Sequence, residues 1–229
     1  MSHPILVFDL DDTLYPERQF ALSGFKAAAR WAEAKLGIAG LCEEMARLLD
    51  AGELGSLFGM ALARRLPGHS PEQLAGLVRA YREHDPELEL FADAHWALRH
   101  FAARSKLGLI TDGTHSMQAR KVAALGIAGH FQAIVYTDAL GGRHYSKPHP
   151  EGYRAIERAL GTAADTFVYI ADNPAKDFVV PNARGWVSVM VARPGHRRIH
   201  AAAVTAPGGA PRHAIASLTE LPALLGLEP

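Results

Sequence analysis

The chain opens with Ile5-Leu6-Val7-Phe8, an apolar and partly β-branched run, and then turns abruptly acidic, with Asp9, Asp11 and Asp12 inside four positions. A short apolar run bounded by turn residues reads as a strand buried on both faces. Strand side chains alternate, so Asp9 and Asp11 are expected to point the same way where the chain leaves the sheet. Two carboxylates side by side at a sheet edge repel, and a cation, a shared proton or an anion-binding task has to compensate for them. By composition alone Asp-Asp-Thr is also an ordinary polar turn, with Asp12 or Thr13 capping the next segment. The rest of the chain decides between the two readings.

Four further runs read as strands, Lys106 to Thr111, Ala133 to Thr137, Thr166 to Ala171 and Trp186 to Ala192, with a short last strand at Ala214 to Ser217. Helical segments at Ser116 to Leu125, Glu151 to Leu160 and Ala175 to Arg184 alternate with them. Continuously apolar strands alternating with helices predict an α/β fold, a doubly wound parallel sheet covered on both faces. One stretch breaks the alternation. Glu17 to Leu36, Leu41 to Arg65 and Pro71 to Glu83 are Ala/Leu-rich with helical periodicity and Gly or Pro between them. The expected organisation is a core from residues 1–15 and 86–229 with an all-helical insert at 16–85, hinged near Pro16 and Pro86. Ala206 to Pro211 reads as a flexible surface loop.

In an open parallel sheet, ligands sit outside the carboxyl ends of the strands. The residues expected there are Asp9, Asp11 and Asp12; Thr111 and Asp112; Lys147; and Asp172 followed by Asp177. Carboxylate oxygens suit Mg²⁺, a hard cation that needs only one or two protein carboxylates beside waters and a substrate phosphate. A hydroxyl and an ammonium suit phosphoryl oxygens.

Taken in order, Phe8-Asp9-Leu10-Asp11-Asp12-Thr13-Leu14, Ile110-Thr111-Asp112-Gly113, Lys147-Pro148 and Asp172-Asn173-Pro174-Ala175-Lys176-Asp177 resemble the four motifs of the haloacid dehalogenase-like superfamily. The resemblance implies a Rossmann-like core, a small helical cap inserted after the first motif, and Mg²⁺-dependent phosphoryl chemistry through an aspartyl-phosphate. It implies Asp9 as nucleophile and Asp11 as the proton shuttle, the latter a role that calls for a carboxyl pKa raised by its neighbours. It implies Mg²⁺ on Asp9, the Asp11 carbonyl and Asp172, with Asp177 behind them holding a metal-bound water or orienting Lys147. Thr111 and Lys147, with backbone N–H groups near Leu10, Asp11 and Asp112, would cradle the phosphoryl group. Asp12 is left as a turn residue. Ala171 stands where family members often carry glycine. Dehalogenases of the superfamily lack the second aspartate, so Asp11 favours phosphate chemistry.

The implied activity is a phosphatase acting on a small phosphomonoester. A phosphomutase, a nucleotidase and a receiver-like phospho-acceptor module are the alternatives, the last disfavoured because the third strand leads only to Asp138. Lys plus Arg and Asp plus Glu both number 24, so no charge field argues for nucleic acid, and the expected partner is a small phosphorylated metabolite. No apolar run approaches a membrane span, Cys42 is the single cysteine, and a cytoplasmic monomer or homodimer is expected. His196 and His200, four apart, are flanked by Arg197, Arg198 and Pro194-Gly195 and read as a solvent-facing loop rather than a metal site. Glu17, Arg18, Phe20 and Phe25 near the hinge read more simply as a first helical turn and core-facing aromatics than as substrate contacts.

Overall fold

The computed structural model describes residues 3–161, 166–199 and 205–227. Six strands form one sheet: β1 (Ile5–Phe8), β2 (Leu107–Thr111), β3 (Ala133–Tyr136), β4 (Phe167–Ala171), β5 (Val187–Val191) and β6 (His213–Ile215). Every pairing is parallel and the order is β3-β2-β1-β4-β5-β6. All residues of β1, β2 and β4 are buried, which is why their sequences are continuously apolar rather than alternating. The order runs outward in both directions from β1 and reverses between β1 and β4, the Rossmann arrangement. A receiver-like domain has a different order, 2-1-3-4-5, so the topology removes that alternative.

The chain divides into two compact units, residues 1–16 with 89–229, and residues 17–88. The second is wholly helical: α1 (Glu17–Leu36), α2 (Leu41–Asp50), α3 (Leu57–Arg65) and α4 (Pro71–Arg82). The periodic stretch from Leu41 to Arg65 is two helices, broken at a turn where Gly52 takes φ 83°, a left-handed conformation that glycine adopts without strain. Helix α4 begins on a capping box, Ser70 Oγ accepting from Gln73 N while Gln73 Oε1 accepts from Ser70 N, with Pro71 in the first turn. Phe20 and Phe25 are core residues of this unit, packed in edge-on or tilted contact with Tyr81. Arg18 pairs with Asp50 at 2.7 Å.

The sheet unit adds α5 (Ala92–Ala102), α6 (His115–Ala124), α7 (Glu151–Leu160), α8 (Val179–Ala183) and α9 (Leu221–Leu225). Helix α5 is not among the helices expected from sequence, although Ala94, Ala97, Leu98 and Phe101 are buried at helical spacing. Helix α8 is half the length expected from Ala175 to Arg184. Asn173 Oδ1 accepts from Ala175 N, and the Asn173 carbonyl accepts from Lys176 N and Asp177 N, so an Asx turn occupies what would have been the first helical turns. On one sheet face, Val7, Ile110, Tyr169 and Trp186 form a core with Tyr153 and Ile156 of α7. The segment expected to be a flexible loop is tied down: Asn182 Nδ2 donates to the carbonyls of Gly208 and Ala210. Among the described residues no helix is long and apolar enough to cross a membrane.

Candidate active site

Asp9 N donates to the Ile170 carbonyl, carrying the β1–β4 pairing one residue past the strand and setting the Asp9 side chain at the sheet's carboxyl edge. The Leu10 carbonyl then accepts from Thr13 N and Leu14 N, and Asp12 adopts φ 54°, so the chain turns sharply away. At the neighbouring end of β4 stands Asp172, and the Asn173 turn brings Asp177 back beside it. Asp177 Oδ2 accepts from Asn173 N at 3.1 Å. Oxygens of Asp9, Asp172 and Asp177, all buried, lie within 4.8 Å of one another.

Lys147 reaches into this cluster from the loop after β3. Its Nζ donates to Asp9 Oδ1 at 2.6 Å and to Tyr169 Oη at 3.1 Å. Asp177 Oδ1 lies 2.8 Å from the same nitrogen, at ion-pair distance but without hydrogen-bond alignment. Burial alone would lower the Lys147 pKa, but the Asp177 and Asp9 carboxylates overcome it and push it well above the ordinary value. Lys147 serves Asp9 and Asp177, and Asp172 has Arg198 3.4 Å away, so two cations stand against three carboxylates. Burial raises the Asp9 carboxyl to about 6, with Lys147 opposing and Asp177 adding to the rise. Burial, then the charges of Asp177 and Asp9, raise Asp172 well above the carboxylate range, with Arg198 opposing. Crowded, buried, oxygen-only and short of positive charge, the donor set fits a hard divalent cation.

Asp112 has a different task. Its Oδ1 accepts from Lys147 N at 3.1 Å and Thr137 Oγ1 at 2.9 Å, and its Oδ2 from Lys176 Nζ at 3.1 Å, so its side chain fastens the Lys147 loop to the end of β2. Asp138, after β3, accepts from His115 N and so serves the first turn of α6.

Asp11 does not join the carboxylate cluster. Its Oδ1 accepts from Lys121 Nζ at 2.7 Å and Tyr15 Oη at 2.5 Å, and its Oδ2 from Gln118 Nε2 at 2.9 Å. Burial would raise its pKa, yet the Lys121 charge and hydrogen bond, with those of Tyr15 and Gln118, hold the carboxyl below its ordinary value. The expectation of a raised Asp11 pKa is thereby corrected: a buried lysine, two turns into α6, answers the carboxylate. Gln118 Nε2 also lies 2.5 Å from Thr111 Oγ1, linking Asp11 to the fully buried Thr111. At Gly113, φ 122°, a Cβ would stand 3.1 Å from Gln118 Oε1, so glycine both makes the turn and gives this side chain room.

The loop after β5 is also corrected. Rather than facing solvent, His196 Nε2 lies 2.8 Å from Asp12 Oδ1, with its ring edge-on to Phe91; His200 lies outside the described residues. Arg193 grips Asp93 and donates to the carbonyls of Asp12 and Thr13, while Arg198 Nη1 donates to the Asp172 carbonyl at 2.7 Å. The paired histidines mark this segment in the sequence, but partners as distant as Asp12 and Asp93 are invisible to local spacing. Gln118, Lys121, Tyr15 and Tyr169 were likewise missed. For the first two the available signal was a buried amide and a buried cation three residues apart on one helix face.

A Rossmann-ordered sheet with buried carboxylates at the ends of its central strands, and a buried lysine brought to them from the loop after β3, defines an α/β protein with an acidic centre at the sheet's carboxyl edge. A model of the haloacid dehalogenase-like hydrolases matches residues 4–178, and a HAD-hydrolase-like model matches residues 144–221. The chain belongs to this hydrolase family. It is 32% identical over 199 residues to the glyceraldehyde 3-phosphate phosphatase of Methanopyrus kandleri, spanning 82% of this chain and 83% of that protein. It is 28% identical over 127 residues to the phosphoserine phosphatase of Thermus thermophilus, spanning 55% and 50%. In fold it resembles a protein described as a HAD-hydrolase, YfnB of Bacillus subtilis bound to magnesium, with TM-score 0.67, 17% identity and coverage of 99% and 100%.

Proposed function

We propose that the protein is a Mg²⁺-dependent phosphatase of small phosphomonoesters that works through an aspartyl-phosphate on Asp9. The observation that carries this reading is Lys147 Nζ held between Asp9 and Asp177, with Asp172 alongside. A carboxylate fixed at a strand end beside a buried ammonium can attack phosphorus without a base. Asp9 and Asp172, with the Asp11 carbonyl, would hold Mg²⁺, which when bound offsets phosphoryl charge, and Asp177 stands behind, tied to Lys147 and the Asn173 N–H. Thr111 and Lys147, with N–H groups of Leu10, Asp11 and Asp112, receive the phosphoryl oxygens. Asp11, whose carboxyl Lys121 holds in the ionised form, would accept a proton from the attacking water. Residues 16–85 act as a helical cap that selects substrate and excludes water. The relatives named for glyceraldehyde 3-phosphate and phosphoserine support a small phosphorylated metabolite as substrate.

Phosphate release from an aryl phosphate, with Mg²⁺ or with a chelator, tests the reading. Release that requires Mg²⁺ and vanishes in Asp9→Asn is expected; an inactive wild type, or an active Asp9→Asn, refutes it.

A further inference from the structure

We infer that Gln118 is a positioning residue that aims the Thr111 hydroxyl hydrogen at the phosphoryl group, an inference that rests on the proposed phosphate site. The hydrogens can be counted. Gln118 Nε2, which carries two hydrogens, donates one to Asp11 Oδ2 at 2.9 Å. The same nitrogen contacts Thr111 Oγ1, so it donates there as well and Thr111 is the acceptor in that pair. Thr111's own hydrogen therefore has to go elsewhere. Asp11 is the competing acceptor on this side, and the Gln118 amide bridges the two. With both its hydrogens committed, Gln118 keeps Thr111 from spending its single hydrogen on Asp11. The hydrogen stays available for a phosphoryl oxygen at the end of β2.

The rest of the surroundings leaves Gln118 little other freedom. The side chain is buried, 2% exposed, and Gly113 provides the space it occupies. Lys121, one turn further along α6 and also buried, occupies the other carboxylate oxygen together with Tyr15, which leaves Asp11 Oδ2 as the oxygen facing Gln118. Replacing Gln118 with methionine keeps length and volume and removes both donors. The Thr111 hydroxyl is then expected to turn to Asp11, and a bound phosphate loses a charge-assisted hydrogen bond, about ten- to a hundredfold in affinity.

The test is calorimetric binding of inorganic phosphate in saturating Mg²⁺ to four proteins: wild type, Gln118→Met, Thr111→Val and the double variant. We expect Gln118→Met to weaken phosphate about tenfold or more when Thr111 is present, and by less than about twofold when Thr111→Val has already removed the hydroxyl. Thr111→Ser, which retains a hydroxyl, is expected to stay sensitive to Gln118→Met. The inference is overturned if Gln118→Met leaves phosphate affinity unchanged, if it weakens binding by the same factor in both Thr111 and Thr111→Val backgrounds, or if the loss tracks a lowered Tm. Phosphate binding does not require turnover. An enzyme that binds phosphate with this coupling but releases none from aryl phosphate would refute the proposed activity and leave the inference standing.

Discussion

Each of the two units buries carboxylate, and they deal with it in opposite ways. In the helical unit Glu44 is buried, but Arg47 and Arg64 reach it from solvent, their side chains 65% and 54% exposed. Two hydrated cations answer one anion there, and the Arg64 hydrogen bond, against the pull of burial, holds the Glu44 carboxyl below its ordinary value. At the sheet's carboxyl edge Asp9 and Asp177 share one fully buried lysine while Asp172 has Arg198 at 3.4 Å, and Asp9 and Asp172 are both pushed up. The helical cluster is closed by flexible arms from the surface, whereas the edge cluster is left short of positive charge, as a site that an exchangeable cation completes would be.

The sharpest way to break that contrast is chemical. Asp9→Asn is expected to lower kcat at least a thousandfold with the fold intact by circular dichroism, since it removes the oxygen proposed to attack; a variant within tenfold of wild type would make the edge cluster structural after all. Next in size, Lys147→Met leaves Asp9 and Asp177 without their shared cation. A loss of about 3–5 kcal/mol in urea unfolding is expected, partly recovered by adding Asp177→Asn. Mg²⁺ comes third: at a hundred times its Kd it should stabilise the protein by about 2.7 kcal/mol, roughly 5–10 °C in Tm, and Asp172→Asn should abolish that rise. A rise that survives Asp172→Asn would place the ion elsewhere.

The smallest effect belongs to the helical unit. Because the Glu44 pKa is lowered by folding, its contribution is complete above the ordinary glutamate value of about 4.3 and disappears as pH falls through the folded value. Glu44→Gln should therefore cost a little stability at neutral pH, nothing in strong acid, and leave the Mg²⁺ response untouched. If Glu44→Gln changed the Mg²⁺ shift, the two clusters would not be independent.

Most of the sheet was legible because strands buried on both faces have to be apolar throughout, and the acids that follow them stand out against that background. Thr111 and Asp172 were legible for the same reason, since one closes and the other follows such a run, whereas Lys147, well past the partly exposed β3, was legible only as part of the ordered motif set. The features that escaped depend on partners far along the chain. Nothing near Asp11 announces that Lys121 and Gln118 will converge on it, and the lowered pKa comes from them and Tyr15. The inward turn of His196 needs Asp12, and the shortened α8 needs the Asn173 side chain to outcompete a helical turn. Helix α5 was written in the spacing of Ala94, Ala97, Leu98 and Phe101, but it begins at Phe91 without a side-chain cap to mark its start.

The central position of β1 also bears on how the protein is made. Leu6 pairs with Leu107 on one side and with Val168 on the other, so of the six strands the first to be synthesised waits longest for its second neighbour. Pairings that distant close slowly, and an apolar strand with two open edges is an invitation to wrong partners in the interval. The aspartates that crowd its end are then a temporary asset. Before Asp172 and Lys147 exist to meet them, they are fully hydrated charges next to four apolar residues, and they keep the nascent segment soluble until the chain that will bury them has emerged.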